Sequence, residues 1–354
     1  ADCAWDEGAE PGAPLAPPAR ASVAPEIVNN IARALRAGLP AMLMLSGAAL
    51  TERGLRAAHR VAHLTGARLR TPTQVPRMAR GRGRVPVDRI PYVVDAALKV
   101  LEGTRHLVLA GAKAPVGFFG YPGKPSTLWP PDCEVHVLAR AEQDIVGALD
   151  ALADELGAPR EVALPEPGPR PETQRGRFHP EAFGHTLAAL LPENAVVAED
   201  AVTSGRALFP LTWAAAPHDW IQITGGAIGH AFPAATGAAL GSPGRKVVCL
   251  QADGAGMYSL QALWTQAREK LDIVNVVFAN RRYAILQGEL AAVGAQPGPA
   301  SKALFDLSRP TLDWVKLAGG MGVEAVRVET LEVFADVFTS ACARRGPFLI
   351  EFAI

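Results

Sequence analysis

The residues best placed to do chemistry stand at the ends of two apolar runs. The first, Val247 to Ala252, leads into Asp253-Gly254-Ala255-Gly256. In open α/β sheets ligands gather at strand C-termini, and small residues just beyond such a strand let backbone N–H groups approach an anion at the start of the next helix. An acid beside phosphate-cradling amides points to a magnesium-bridged phosphate. The second run, Ile273 to Phe278, ends in Ala279-Asn280-Arg281-Arg282-Tyr283, so Asn280 lies 27 positions after Asp253, at the end of what should be a neighbouring strand. Magnesium takes octahedral oxygen ligands, few of them from protein, and one carboxylate with one amide oxygen suits it. Aspartate and asparagine also occupy turns simply to satisfy backbone groups, so the spacing alone leaves both readings open.

These tips need a scaffold that brings them together, and the rest of the chain supplies its pattern. Apolar strands are expected at Ala195 to Ala198, Trp220 to Ile223, Lys246 to Gln251, Ile273 to Phe278, Val323 to Val328 and Pro347 to Phe352. Helices fit at Pro180 to Leu191, His230 to Leu240, Gly256 to Glu269, Asp313 to Gly319 and Leu331 to Ala343. Near-continuous apolar strands belong to a sheet buried on both faces. Upstream, a helix starts at Pro25 and ends by Gly38, a strand covers Ala41 to Leu45, and Thr51 opens a helix to about Leu64. Further strands cover His106 to Ala110 and Glu134 to Leu138, before a helix from about Gln143. The fold class is therefore α/β, two domains each with a parallel sheet flanked by helices. Proline clusters place a linker at 1–24, a central α/β domain at 25–158, a second linker at 159–179, and a C-terminal domain at 180–354.

Composition narrows the function. The 35 basic and 35 acidic side chains cancel, so no overall field draws nucleic acid or an anionic membrane surface. Cys3, Cys133, Cys249 and Cys342 show no ligand-like spacing, which argues against a disulfide framework or a zinc site and for a reducing, cytoplasmic setting. No apolar run reaches the roughly 20 residues of a membrane span. The arginine-rich stretch of Arg68, Arg70, Arg77, Arg80, Arg82, Arg84 and Arg89 reads as a solvated face rather than an anion site. Ser46-Gly47-Ala48-Ala49-Leu50 lacks the glycine spacing of a dinucleotide loop.

Ala252-Asp253-Gly254 followed by Asn280 resembles the signature of thiamine diphosphate enzymes, Gly-Asp-Gly and then Asn-Asn about 25 to 30 residues on. Gly225-Gly226-Ala227-Ile228-Gly229-His230-Ala231-Phe232-Pro233-Ala234-Ala235 resembles the glycine-rich element of the same family, and Tyr258 to Trp264 its helix after the acidic turn. The resemblance covers essentially the whole chain and points to the acetolactate synthase and benzoylformate decarboxylase superfamily. Its central and diphosphate-binding domains are represented, and the N-terminal pyrimidine-binding domain is missing from this sequence.

The resemblance implies roles. Asp253, Asn280 and the carbonyl of Arg282 would bind magnesium. The backbone of Gly254 and Ala255 would meet the diphosphate, with Val202, Thr203 and Ser204 reaching its far oxygens and Tyr258 and Tyr283 nearby. Ile228 would wedge beneath the bent cofactor, and Gly226 would offer its carbonyl to the exocyclic amine. His230, Leu286 and Glu289 are candidates for facing the substrate. The glutamate that activates the cofactor belongs to the missing domain, so this chain alone is expected to be inactive. Ala252 and Ala279 depart from the family's glycine and asparagine, removing backbone freedom and one hydrogen bond beside the phosphate. The implied function is a thiamine diphosphate- and magnesium-dependent lyase or transferase. It would act on the bond beside a 2-oxo acid carbonyl, by decarboxylation or carboligation, as a homodimer or tetramer. The alternatives are a non-catalytic paralogue or fragment that binds the cofactor weakly or not at all, and a subunit completed by a separate chain. FAD, used in part of the superfamily, stays undecided.

Overall fold

A computed structural model describes residue 8 and residues 12–354, so Cys3, Pro11 and most of the first half of the expected N-terminal linker lie outside the described residues. Twelve strands follow in chain order: β1 (Ala41–Leu45), β2 (Arg68–Thr71), β3 (Met78–Arg80), β4 (Asp88–Arg89), β5 (His106–Ala110), β6 (Glu134–Ala139), β7 (Ala195–Asp200), β8 (His218–Gln222), β9 (Val247–Ala252), β10 (Ile273–Ala279), β11 (Glu324–Val328) and β12 (Phe348–Ala353). They form a five-stranded sheet in the order β4-β2-β1-β5-β6 and a seven-stranded sheet in the order β11-β12-β10-β9-β7-β8-β3. Every pairing is parallel except that of β3 with β8. The α/β class read from the alternation of elements is the class observed.

Local chemistry explains where the helices begin. Pro25 opens Pro25–Arg36, which buries Val28, Ile31, Ala32 and Leu35 on one face. The Thr51 hydroxyl accepts the Gly54 N–H to cap Glu52–Thr65, and left-handed Gly66 stops it. Asp144 and Asp313 cap Ile145–Leu156 and Trp314–Gly320 in the same way.

Helices Pro180–Leu190 and Leu331–Ala343 cover one face of the larger sheet, where Phe278 of β10 meets the rings of Phe178 and Phe183, and Phe334 stacks on Phe352. Ala231–Gly241, Ala262–Arg268 and Trp314–Gly320 cover the other, around buried Phe232, Leu263 and Trp314. Burying both faces accounts for the unbroken apolar strands.

Two expectations need correction. The arginine-rich stretch is a solvated face only in part: Arg77 is exposed, Arg68, Arg70, Arg82, Arg84 and Arg89 are half-buried, and Arg80 is buried. It carries β2, β3 and β4, and Arg80 is 3% exposed with its guanidinium 3.5 Å above the Phe209 ring while it donates to the Phe209 carbonyl. A planar cation stacked on an aromatic ring is the form in which arginine tolerates burial, and that burial lowers its pKa to about 9. The single helix expected from Gly256 to Glu269 is instead a short turn of helix, Asp253–Gly256, then turns, then Ala262–Arg268. The break lets the Ser259 hydroxyl donate to the Gly229 carbonyl at 2.5 Å.

Cys133, Cys249 and Cys342 are free thiols. Among the described residues no helix is long and apolar enough to cross a membrane.

Because Phe278 is fully buried within this aromatic cluster, Phe278→Ala should lower unfolding stability by about 3–5 kcal/mol. Urea denaturation of the two proteins measures it.

Candidate functional site

Strands β9 and β10 lie side by side in parallel, with Ala252 opposite Phe278. That register delivers Asp253 and Asn280 to the same end of the sheet. Asp253 is 2% exposed. Its Oδ1 accepts the Gly254 N–H at 2.8 Å and its Oδ2 the Arg281 N–H at 2.6 Å. The second bond ties the tip of one strand to the tip of the other. It requires left-handed backbone at Arg281, where φ is 57°, a conformation that L-residues adopt rarely and mostly in tight functional turns. Burial pushes the Asp253 carboxyl up to about 6 against the pull of its two N–H donors, with a smaller upward push from the Glu351 carboxylate. A carboxylate removed from water and short of positive charge is what a divalent cation compensates.

Asn280 is half-buried, and its Oδ1 accepts the Arg282 N–H at 3.0 Å, an Asx turn within its own loop. Arg282 is exposed, and its backbone bridges to Asp306. The Tyr283 ring lies against Gly254, so close that a Cβ on Gly254 would stand 2.5 Å from it. Gly254 and Ala255 are buried in the short helical turn, and Tyr258 beyond it is 63% exposed.

The glycine-rich loop after β8 joins this edge through a residue that the sequence reading passed over. Asp200, the last residue of β7, is fully buried. Its Oδ2 accepts the Gly229 N–H at 2.7 Å, the His230 N–H at 3.0 Å and the Gln251 Nε2 at 2.9 Å. One carboxylate oxygen therefore clamps the loop to β7 and β9. The signal was an acid closing an apolar strand directly opposite Gln251. Burial raises the Asp200 pKa, and its three donors oppose that. Gly226 has φ of 70°, and the Phe118 ring, from the connection between β5 and β6, lies where a Cβ would stand. Ile228 projects from this loop half-exposed.

The remaining candidates fall into two groups. Val202, Thr203 and Ser204 form the turn just after β7, with β-branched Val202 at φ 47°; such a backbone costs on the order of 1–3 kcal/mol and collects at functional sites. His230 precedes the helix Ala231–Gly241 as its N-cap, and burial lowers its pKa while its Nε2 stays buried without a partner. Leu286 is exposed on the helix Ala284–Ala292. Glu289 on that helix is held from the first half of the chain, accepting hydrogen bonds from Tyr92 at 3.1 Å and Tyr121 at 2.7 Å. The Tyr92 and Phe118 rings pack 5.5 Å apart, so a wall of aromatic residues faces both Glu289 and the glycine-rich loop. An open cleft lined by Leu98, Glu102, Leu128 and Trp129 shares no residue with this arrangement.

A buried carboxylate, an amide oxygen beside it, backbone N–H groups at a helical turn and a clamped glycine loop make a donor set suited to a divalent cation and phosphate oxygens.

Comparison with known proteins points to a phosphate-bearing cofactor. Residues 200–352 match the family described as thiamine pyrophosphate enzyme, C-terminal TPP binding domain. The chain is 46% identical over its full length to the "Putative acetolactate synthase large subunit IlvX" of Mycobacterium tuberculosis, of which it spans 68%. It is 29% identical over 211 residues to benzoylformate decarboxylase of Pseudomonas aeruginosa, matching 59% of this chain and 39% of that protein. Among solved structures, the thiamine diphosphate-dependent 4-hydroxybenzoylformate decarboxylase of Rhodococcus jostii superposes over 96% of this chain and 66% of its own, with a TM-score of 0.79 and 23% identity. Benzoylformate decarboxylase of Polynucleobacter necessarius superposes over 98% of this chain and 68% of its own, with a TM-score of 0.75 and 21% identity. The likeness to these two structures is one of fold. The chain thus spans about two thirds of the proteins that it matches from end to end.

Asp253 gives a pH signature. Its folded pKa of about 6 lies above the ordinary 3.8, so between pH 4 and 6 the folded chain keeps a proton that the unfolded chain has lost. Stability should fall as pH rises through that window. Asp253→Asn should flatten the slope and, after losing one acceptor, gain on the order of 1 kcal/mol at pH 7 in cofactor-free protein, as read by urea denaturation at several pH values. Asp200→Ala, which strands three donors, should cost on the order of 2–4 kcal/mol in the same assay.

Proposed function

Since the chain belongs to the thiamine diphosphate-dependent enzymes of the acetolactate synthase and benzoylformate decarboxylase superfamily, we propose that it binds thiamine diphosphate and Mg2+ at the loop cluster around Asp253. With them it would break or form the carbon–carbon bond beside the carbonyl of a 2-oxo acid. The observation that carries this reading is the desolvated Asp253 carboxylate bonded to the loop that follows Asn280.

In this reading Asp253, Asn280 and the Arg282 carbonyl hold the cation, and the backbone at Gly254 and Ala255, with Val202, Thr203 and Ser204, meets the phosphate oxygens. Tyr258 and Tyr283 flank that site. When bound, thiamine diphosphate supplies the carbanion chemistry that no side chain can. The protein's part is position. Asp200 fixes the loop that carries Gly226 and Ile228, so the Gly226 carbonyl and the Ile228 side chain are set before a cofactor arrives. Glu289, oriented by Tyr92 and Tyr121, and Leu286 line the approach for substrate, with His230 close to the glycine loop. The assembly is a homodimer or dimer of dimers in the cytoplasm.

A second reading is favoured by Asn280, whose amide oxygen already accepts from its own loop, and by Ala252 and Ala279. It is a family member that no longer holds the cation.

Thermal melts decide between them. Thiamine diphosphate with Mg2+ at a hundredfold excess over Kd should stabilise the chain by about 2.7 kcal/mol, and EDTA should reverse the shift. Asp253→Asn should remove the response although it stabilises the free protein. Equal melting curves with and without ligands would establish the second reading. If ligands bind, the products formed from a 2-oxo acid then separate the two reactions, an aldehyde marking decarboxylation and a 2-hydroxy ketone marking carboligation.

A further inference from the structure

Away from this site, at the start of β5 and β6 in the smaller sheet, three side chains converge whose roles the fold does not explain. The parallel register sets His106 opposite Glu134 and Val108 opposite His136, which places His106, Glu134 and His136 on one face of the sheet. His106 Nδ1 lies 3.1 Å from His136 Nε2, and Glu134 Oε2 lies 3.7 Å from each nitrogen. A triangle with those sides has its equidistant point about 2.0 Å from every corner, the length of a zinc bond to imidazole nitrogen or carboxylate oxygen. The edges also come close to the spacing of roughly 3.3–3.4 Å between ligands on one face of a zinc tetrahedron.

Protein groups alone satisfy this arrangement poorly. Two neutral imidazoles share at most one hydrogen bond between the facing nitrogens, and the carboxylate oxygen stands too far from both to accept one. His106 is 6% exposed, and its far nitrogen, Nε2, is buried without a partner, so this ring is fixed in place with only Nδ1 turned toward polar company. Glu134, with a side chain 72% exposed, leaves the outer side of the cluster open to water.

We propose that His106, Glu134 and His136 form a zinc site that takes a water as fourth ligand and clamps the edge strand β6 onto β5. Its position supports a structural role. It sits at the N-terminal ends of parallel strands, whereas substrate sites of α/β sheets gather at the C-terminal ends. Strand β6 is the last of its sheet, and its pairing with β5 slips between Leu109 and Ala110, so a cross-strand tie would fix the register before that irregularity. The proposal stands independently of the thiamine diphosphate reading.

The test is zinc titration by calorimetry of the whole chain with Mg2+ in excess, so that the Asp253 region is not a competitor. His63→Gln is the control, because His59 and His63, one helical turn apart with ring centroids 6.5 Å apart, are the other histidine pair suited to a soft cation. We expect one zinc per chain, an unchanged affinity in His63→Gln, and at least tenfold weaker binding in both Glu134→Gln and His136→Gln. These two replace the more exposed ligands, so the buried His106 is untouched, and circular dichroism verifies their folding. X-ray absorption at the zinc edge should show nitrogen and oxygen neighbours at about 2.0 Å. Zinc bound no more tightly by the parent chain than by His136→Gln, or binding lost in His63→Gln, overturns the proposal.

Discussion

The candidate site depends on a matter of registration, the parallel alignment of β9 with β10. Hydrogen bonding from Ile273 opposite Val247 to Phe278 opposite Ala252 makes both strands end at one level. Slipping a strand by one residue would turn each side chain to the opposite face. Apolar burial on both faces of the sheet holds that alignment, so the chemistry at the tips is set by the oil-like pattern in the middle. The bond from the Arg281 N–H to Asp253 then fixes the distance between the tips.

Asp200 does for the third strand what the Arg281 bond does for the other two. It offers one buried oxygen to three donors from the glycine loop and β9. Each is individually modest, and together they convert a loop of left-handed glycines into a preorganised wall. Buried acids therefore serve two purposes at this edge. Asp200 gathers three donors on one oxygen and holds shape, Asp253 ties two strand tips together, and burial raises the pKa of both acids against the pull of their donors. Such imbalance at a strand end is the usual mark of a place built to receive charge.

Much of this was legible in the sequence because apolar strands announce themselves in short continuous runs. The strands that end at Asp253 and Asn280, the caps at Thr51 and Asp313, and the glycine loop were all local patterns. What escaped depended on partners far along the chain. Strand β3 hid within an arginine-rich stretch because charge there reads as solvation, and the rings of Phe209 and Trp220, far along the chain, turn Arg80 into a core residue. The clamp role of Asp200 needed its neighbour across the sheet, Gln251. The two tyrosines on Glu289 lie 197 and 168 positions upstream of it, and no local spacing forecasts such a contact.

Strand β3 also bears on how such a protein could change over evolutionary time. Although it stands among the strands of the smaller sheet in the chain, it completes the larger one by pairing antiparallel with β8, with Met78 opposite Trp220 and Arg80 opposite His218. Cutting the gene between the two sheets would strip β8 of that neighbour, leaving a bare row of amide and carbonyl groups ready to recruit another chain. The halves are thus poor candidates for shuffling as separate cassettes, and a lineage that exchanged one would have to carry the ten or so residues around Met78 along with the other.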